Sequence, residues 1–160
     1  MRRAKGFSLI ELLIVVAIIL IIAAIAAPSF LHARMAANES AAVGEIRTLN
    51  TAQVSYNSTY PTVGFAGTLS YLAGTTCAGT APTSSTACLI DSVLGGGTKS
   101  GYTFTLTGVS GTPASSYQFL ASPVAVNQTG VNYFCSFADA VVRSSQSAIT
   151  TCDGTVSPQQ

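Results

Sequence analysis

The first part of the chain is apolar over a stretch that matches the thickness of a membrane. Every residue from position 12 to position 27 is apolar, and a helix counted from Phe7 would be about 31 Å long at ~1.5 Å per residue. The hydrocarbon core of a bilayer is about 30 Å thick. The pattern therefore predicts a membrane-spanning helix over residues 7–27, with one carboxylate, Glu11, inside it.

Beyond Pro28 the apolar pattern continues with a helical period. Large or apolar side chains recur at spacings of three and four at Ala42, Ile46, Leu49, Gln53, Tyr56 and Tyr60. This predicts a single helix from Phe7 to about Ser58, in which Pro28 should kink or loosen the backbone because it lacks an N–H group. The charged residues of this half mostly take the other face and are expected to be solvated: Arg34, Glu39, Glu45 and Arg47.

After Pro61 the composition changes to Gly, Ser and Thr with short β-rich runs. GYTFTL at 101–106 alternates with period two, and YQFLASPV, VNYFCSF and AVVRSS are further strand candidates. The segments TTCAGTAPTSSTAC and TGVSGTPASS read as loops by composition. Three or four antiparallel strands are expected, with the helical stripe covering one face of the sheet. The predicted fold class is α+β, a long N-terminal helix packed on a small antiparallel sheet.

Charge distribution gives an orientation. The formal net charge is +1, and Arg2, Arg3 and Lys5 crowd the N-terminus. Basic flanks stay in the cytoplasm, so the chain after Pro28 should lie across the membrane. Lys99 and Arg143 are the only basic residues after Pro61, too few to predict nucleic-acid binding.

A secretory signal peptide is the competing interpretation of the same start. It would have a basic beginning, an apolar core and a small-residue cleavage site such as AIA at 24–26. The apolar core of a signal peptide is usually about 7–15 residues long. A signal peptide also has no reason to carry an ionisable group such as Glu11 in that core. The pattern favours a retained anchor.

The four cysteines all follow the membrane segment, where an oxidising compartment permits disulfides. Three connectivities are possible. The pairs Cys77–Cys88 and Cys135–Cys152 are favoured because each closes a short local loop in a Gly/Ser-rich segment. A metal site is not expected, since no C-x-x-C occurs and the single histidine, His32, is beside the membrane segment.

Catalytic chemistry is poorly represented in the second half of the chain. It has no histidine, and its carboxylates, Asp91, Asp139 and Asp153, are read as turn residues rather than calcium ligands. No enzyme activity and no cofactor are predicted. N-x-S/T matches at Asn38, Asn57 and Asn127 arise easily in a chain rich in Ser and Thr and are assigned no role.

The start of the chain resembles the class III signal of type IV prepilins and type II secretion pseudopilins. The likeness covers residues 6–28: Gly6, the aromatic Phe7, and then SLIELLIVVAIILIIAAIAAP. The resemblance implies cleavage between Gly6 and Phe7 by a prepilin peptidase and N-methylation of Phe7. The implied organisation is a cytoplasmic leader at 1–6, a long helix at 7–60 whose segment 7–27 is the membrane anchor and later the filament core, and a disulfide-bearing head at 61–160.

The function implied by the resemblance is structural. Such a subunit waits in the inner membrane and is polymerised into a helical homo-oligomer by a cytoplasmic ATPase and a platform protein. Pilins and pseudopilins share this N-terminus, so both remain open. A type IV pilus subunit is the first expectation, and a pseudopilin working with a secretin is the alternative. An anchored periplasmic binding module is a remote alternative, because nothing in the tail indicates a ligand pocket.

Glu11 receives a role within this interpretation. Its ionised form in a membrane is disfavoured unless it finds a partner. Cleavage creates a positive amine at Phe7, and the amine of a neighbouring subunit could pair with Glu11 in the filament core. Glu11 is therefore the predicted assembly residue.

Overall fold

A computed structural model describes residues 7–74, 77 and 81–159 of the chain. The longest element is helix α1, Leu9–Thr59, which is close to the predicted 7–58 and continues through Pro28 without interruption. The proposed leader at 1–6, including Gly6, lies outside the described residues.

The chain divides into two units, of which the first ends at Arg34. In this unit every described residue is exposed, including a long series of Leu, Ile and Val side chains. The helix that it begins is long and apolar enough to cross a membrane, the one such helix in the described part of the chain. Helices that are apolar on all sides are stable in lipid or packed against one another rather than in water.

The second unit begins at Met35 and contains the remainder of α1. Here the helix is amphipathic, and the predicted stripe is buried from Ala42 to Tyr56, while Tyr60 is half-buried. The buried face also includes Asn50 and Gln53, whose amides form hydrogen bonds inside the domain. The largest side chains packed in this core include Tyr56, Tyr102, Tyr117, Phe119 and Phe134.

A five-stranded antiparallel sheet packs on this stripe, with the strands in chain order. The strands are β1 (Thr98–Lys99), β2 (Tyr102–Gly111), β3 (Ala114–Pro123), β4 (Tyr133–Phe137) and β5 (Arg143–Ser145). Two short helices, α2 (Leu69–Ala73) and α3 (Ser92–Gly95), precede the sheet. The predicted α+β class is confirmed.

One loop prediction is wrong. The segment TGVSGTPASS forms the end of β2, a tight turn at Thr112 and Pro113, and the beginning of β3. Its glycines, typical of loops, serve a hairpin instead: Gly108 and Gly111 have φ angles of 62° and 99°, where the register between the strands shifts. Glycine adopts these angles without the steric cost of a Cβ, and it marks bulges of this kind.

The two faces of the sheet are covered by different parts of the chain, one by α1 and the other by the C-terminal tail. Tyr117 and Ser136 point toward α1, because both side chains bond Asn50. Their strand neighbours Gln118 and Cys135 therefore point to the other face. There the C-terminal tail covers the sheet: Cys135 is joined to Cys152, and the Cys152 N–H donates to Gln118 at 3.1 Å.

A second disulfide joins Cys77 to Cys88, so the structure contains the two pairings that the sequence favours. Cys77 is exposed and Cys88 half-buried, whereas Cys135 and Cys152 are buried. The first bridge closes the loop after α2, and the second fixes the C-terminal tail on the sheet.

Candidate assembly surface and its carboxylate

Glu11 lies in the first turn of α1, two residues after the helix begins at Leu9. The backbone N–H of Ser8 donates to its Oε2 at 2.9 Å. The first N–H groups of a helix have no partner within it, and its positive dipole end attracts a carboxylate. This contact is one half of a capping box, in which the acidic side chain three residues into the helix returns to the N-cap backbone. The carboxylate thus stabilises the start of its own helix.

The surroundings of Glu11 are apolar and open. The exposed side chains beside it along the chain are Ile10, Leu12, Leu13 and Ile14. Glu11 forms no salt bridge with any residue that the structure describes. Among residues 7–74, 77 and 81–159, this negative charge on an apolar surface thus has one backbone donor and no cation.

The structure places Phe7 directly before this turn, with its side chain 83% exposed. Of the predicted site residues, Phe7 and Glu11 both lie at the start of α1, while Gly6 is outside the described part of the chain. Pro28 lies 17 residues further along the helix, well away from the carboxylate. A proline at 28 cannot donate to the carbonyl of Ala24, so local loosening remains a prediction at this position.

Glu39 is not the solvated surface residue that the sequence predicts. Its Oε1 accepts from the backbone N–H groups of Val131 and Asn132 at 2.7 and 3.1 Å, and its Oε2 accepts from the Asn132 side-chain amide at 2.8 Å. Burial acts to raise the pKa of Glu39, but these three donors lower it below its ordinary value. The carboxylate clamps α1 to the connection between β3 and β4.

Glu45 also has a structural partner. Lys99 on β1 extends its Nζ to 2.6 Å from Glu45 and to 2.8 Å from Asp91. Asp91 caps α3 by accepting from the Leu94 N–H at 2.9 Å. The hydrogen bond with Lys99 lowers the pKa of Asp91, and the bonds to Asp91 and Glu45 raise the pKa of Lys99. Lys99 thus links α1, α3 and the edge of the sheet.

The other aspartates act as turn residues, as expected. Asp139 accepts from the Val141 N–H at 3.0 Å and pairs with Arg143 at 2.6 Å. Asp153 accepts from the Thr155 N–H at 2.9 Å. Among the described residues, His, Cys, Asp and Glu side chains do not gather into a group of three that could hold a metal ion.

Comparison with known proteins bears on the N-terminal part of the chain. The prokaryotic N-terminal methylation motif matches residues 1–27. The type IV wide pilus major component PilA4 of Thermus thermophilus is 62% identical over 40 residues, which are 25% of this chain and 30% of that protein. The type IV major pilin protein PilA of Myxococcus xanthus is 50% identical over 54 residues, which are 34% of this chain and 24% of that protein. No solved structure gives a significant match.

These matches confirm the resemblance to the type IV pilin family. The chain covers less than a third of the length of either relative, 30% of one and 24% of the other. The methylation motif matches residues 1–27, and the two relatives match 40 and 54 residues of the chain. The methylation motif and the apolar helix together indicate membrane anchoring.

Proposed function

We propose that this chain is a structural subunit of a type IV pilus or pilus-like filament. The observation that carries the proposal is Glu11, a carboxylate on an exposed and otherwise apolar helix, within a segment that matches the methylation motif. The two similar proteins are pilus components by name. An apolar helix that suits both lipid and a bundle of its own copies fits a subunit that moves from membrane to filament.

The proposed sequence of events begins with the leader. A prepilin peptidase cuts between Gly6 and Phe7 and methylates the new amine, while residues 7–27 remain in the inner membrane with the N-terminus toward the cytoplasm. A platform protein and an ATPase then add subunits by head-to-tail contacts. Contacts of this type generate an open helical filament rather than a closed ring.

Glu11 sets the axial position of each new subunit in this proposal. Apolar packing alone allows many registers, whereas a carboxylate and an amine meet at one. The amine at Phe7 of one subunit would pair with Glu11 of another in the dry filament core. The Ser8 N–H bond keeps the carboxylate turned toward the helix start, on the same turn as the amine of its own chain.

Glu11→Ala and Glu11→Gln test this role together. Glutamine can still accept from the Ser8 N–H but has no charge, so it separates helix capping from ion pairing. We expect both variants to insert in the membrane and to lose their leader, and both to give filament yields at least about tenfold below wild type. Leu12→Ala, a change of size at the neighbouring exposed position, is the matched control.

The measurement is the ratio of processed subunit in membranes to subunit in filaments sheared from the cells and seen by electron microscopy. Wild-type yield from Glu11→Gln would show that capping, not charge, is the function of the residue. Absence of filaments from the wild-type chain, with processed protein in the membrane, would contradict the proposed function as a whole.

A further inference from the structure

The charged side chains of the second unit are almost all engaged inside their own molecule. Glu45, Lys99 and Asp91 form one ion cluster, Arg143 pairs with Asp139, and Glu39 is held by backbone and amide donors. Within residues 35–74, 77 and 81–159, three charged side chains form no salt bridge: Glu39, which those donors hold, and Arg47 and Asp153. Arg47 and Asp153 are thus the two that have neither a salt bridge nor a clamp of this kind. One is positive, the other negative, and both are exposed.

Arg47 lies on the part of α1 that does not face the sheet. Its neighbours Ile46 and Leu49 are buried, while Arg47 itself stands between two shallow grooves. Ala140 borders one groove and Leu89 the other, and Thr51 and Ser55 are shared by both. The guanidinium is thus presented on a surface of small side chains.

Asp153 lies on the other side of the sheet, in the tail that the Cys135–Cys152 disulfide holds there. Its Oδ1 accepts from the N–H and the hydroxyl of Thr155, which fixes the direction of the carboxylate. Its Oδ2 has no hydrogen bond to any residue that the structure describes. A shallow groove beside it is bordered by Gly108, Gln118 and Ala138.

We propose that Arg47 of one copy pairs with Asp153 of another copy in a heterologous contact between heads. α1 covers the inner face of the sheet and the tail covers the outer face, so the two charges are separated by the sheet within one molecule. A second copy can present the complementary charge to each of these two sides. This inference rests on the proposed function, since it specifies which head surfaces meet in the filament.

The contact joins two different surfaces, as an open filament requires. A two-fold dimer built on one side of the head would contain Arg47 or Asp153 but not both, so it could not form this pair. A single exposed ion pair contributes only modestly to the stability of a contact, but in a filament the pair is repeated for each subunit. Wrong orientations of the heads are disfavoured because they would bring like charges together. The pair therefore complements the register set by Glu11.

The experiment is a charge exchange in the full-length chain. Arg47→Glu and Asp153→Arg are made singly and together, and filaments are quantified by shearing and electron microscopy. We expect each single variant to lower the yield at least about fivefold, because the altered side chain meets its own charge. The double variant restores the opposite pair and should recover at least half of the wild-type yield.

Three controls make the result specific. Val93→Glu adds a negative charge at an exposed position of α3 and should leave the yield unchanged. Leader processing and the thermal midpoint of detergent-solubilised protein should be the same in all variants. Wild-type yield from both single variants, or no recovery in the folded double variant, would overturn the Arg47–Asp153 contact. The proposed function would survive that outcome if wild-type filaments form and Glu11→Gln prevents them.

Discussion

Gln53 shows at the scale of one residue how a polar group is accommodated in the core. It is fully buried, and its amide forms two bonds with one residue: Nε2 donates to the Ala66 carbonyl at 3.2 Å, and the Ala66 N–H donates to Oε1 at 2.8 Å. The Gln53 amide thus satisfies both backbone groups of Ala66, as a neighbouring strand would do in a sheet. The helical period predicts that position 53 faces inward, but its partner depends on the path of the chain thirteen residues later.

We predict that Gln53→Leu destabilises the protein although it adds apolar area. Leucine leaves the buried N–H and carbonyl of Ala66 unsatisfied, and each such group costs roughly 1–3 kcal/mol. The free energy of unfolding should fall by about 2–4 kcal/mol. Urea unfolding of the detergent-solubilised chain, followed by tyrosine near-UV circular dichroism, measures it. Thr51→Leu, two residues away on the exposed face, should change it little, and equal stability of both variants would contradict the argument.

Asn50 is a second buried polar side chain on α1 whose partners lie far along the chain. Its side chain contacts Tyr117 and Ser136, which lie 67 and 86 positions further along the chain. A pattern with a short period cannot predict such a network, because the contacts come from the topology of the sheet. Sequence therefore predicts which side of α1 is buried, whereas the polar partners on that side require the structure.

At the scale of elements, Glu39 fastens α1 to the β3–β4 connection. Asn38 adds a bond from Nδ2 to the Thr129 carbonyl at 2.9 Å, and the Tyr102 hydroxyl donates to the Asn132 carbonyl at 2.8 Å. The connection at 124–132 is thus held at several points. In the sequence Glu39 looks like an ordinary surface residue, because the N–H groups that donate to it belong to Val131 and Asn132, 92 and 93 positions further along the chain.

We predict that Glu39 makes the protein acid-sensitive. Its pKa is lowered below the ordinary 4.5 in the folded state, so its stabilising effect is complete above about pH 4.5 and is lost as the pH falls through the folded pKa. Glu39→Gln removes this titration. The thermal midpoint of wild type should therefore fall more than that of the variant between pH 6 and about pH 3.

Other carboxylates titrate in the same range, so the difference between the two proteins is the informative quantity. Tyr102 is the titratable neighbour of Glu39 across the connection, and burial raises its pKa, so it stays neutral throughout. Ser40→Ala, beside Glu39 on the same helix, controls for changes to the helix itself. Parallel pH curves for wild type and Glu39→Gln would show that the clamp does not depend on charge.

The two disulfides belong to the scale of elements as well, and they differ in access to solvent. Cys135 and Cys152 are 0% and 2% exposed, whereas Cys77 is exposed and Cys88 half-buried. We predict that mild reductant opens Cys77–Cys88 first, measured by maleimide labelling and peptide mapping over time. Simultaneous labelling of all four cysteines would contradict this order.

Loss of the buried bridge should also be costly to stability. Cys135 and Cys152 are 17 positions apart, and a loop of about this size is stabilised by roughly 3 kcal/mol in the chain-entropy model. Cys135→Ser with Cys152→Ser also places two hydroxyls in a buried site. We expect the free energy of unfolding to fall by about 3 kcal/mol, and Cys77→Ser with Cys88→Ser to have the smaller effect.

At the scale of the whole molecule, the sequence predicts the long helix, its apolar first part and most strands. These features are encoded locally, by uninterrupted apolar runs and by periods of 3.6 and 2. The composition of residues 107–116 predicts a loop instead of the observed hairpin, because glycine and serine do not by themselves reveal a bulge in a strand. The role of the tail in covering the sheet depends on the Cys135–Cys152 pairing and on contacts far apart in sequence.

The mature N-terminus is the last prediction and concerns the entire chain. We expect purified filaments to contain a polypeptide that begins at Phe7 and carries one methyl group on its amine, because residues 1–27 match the methylation motif. Intact-mass measurement with N-terminal peptide sequencing decides this. Gly6→Leu is the test variant, since a bulky side chain before the cut should leave unprocessed chain in the membrane and no filaments. A mature chain that begins at Ala27 or Pro28 would instead indicate a removed signal peptide, and then Glu11 could have no role in assembly.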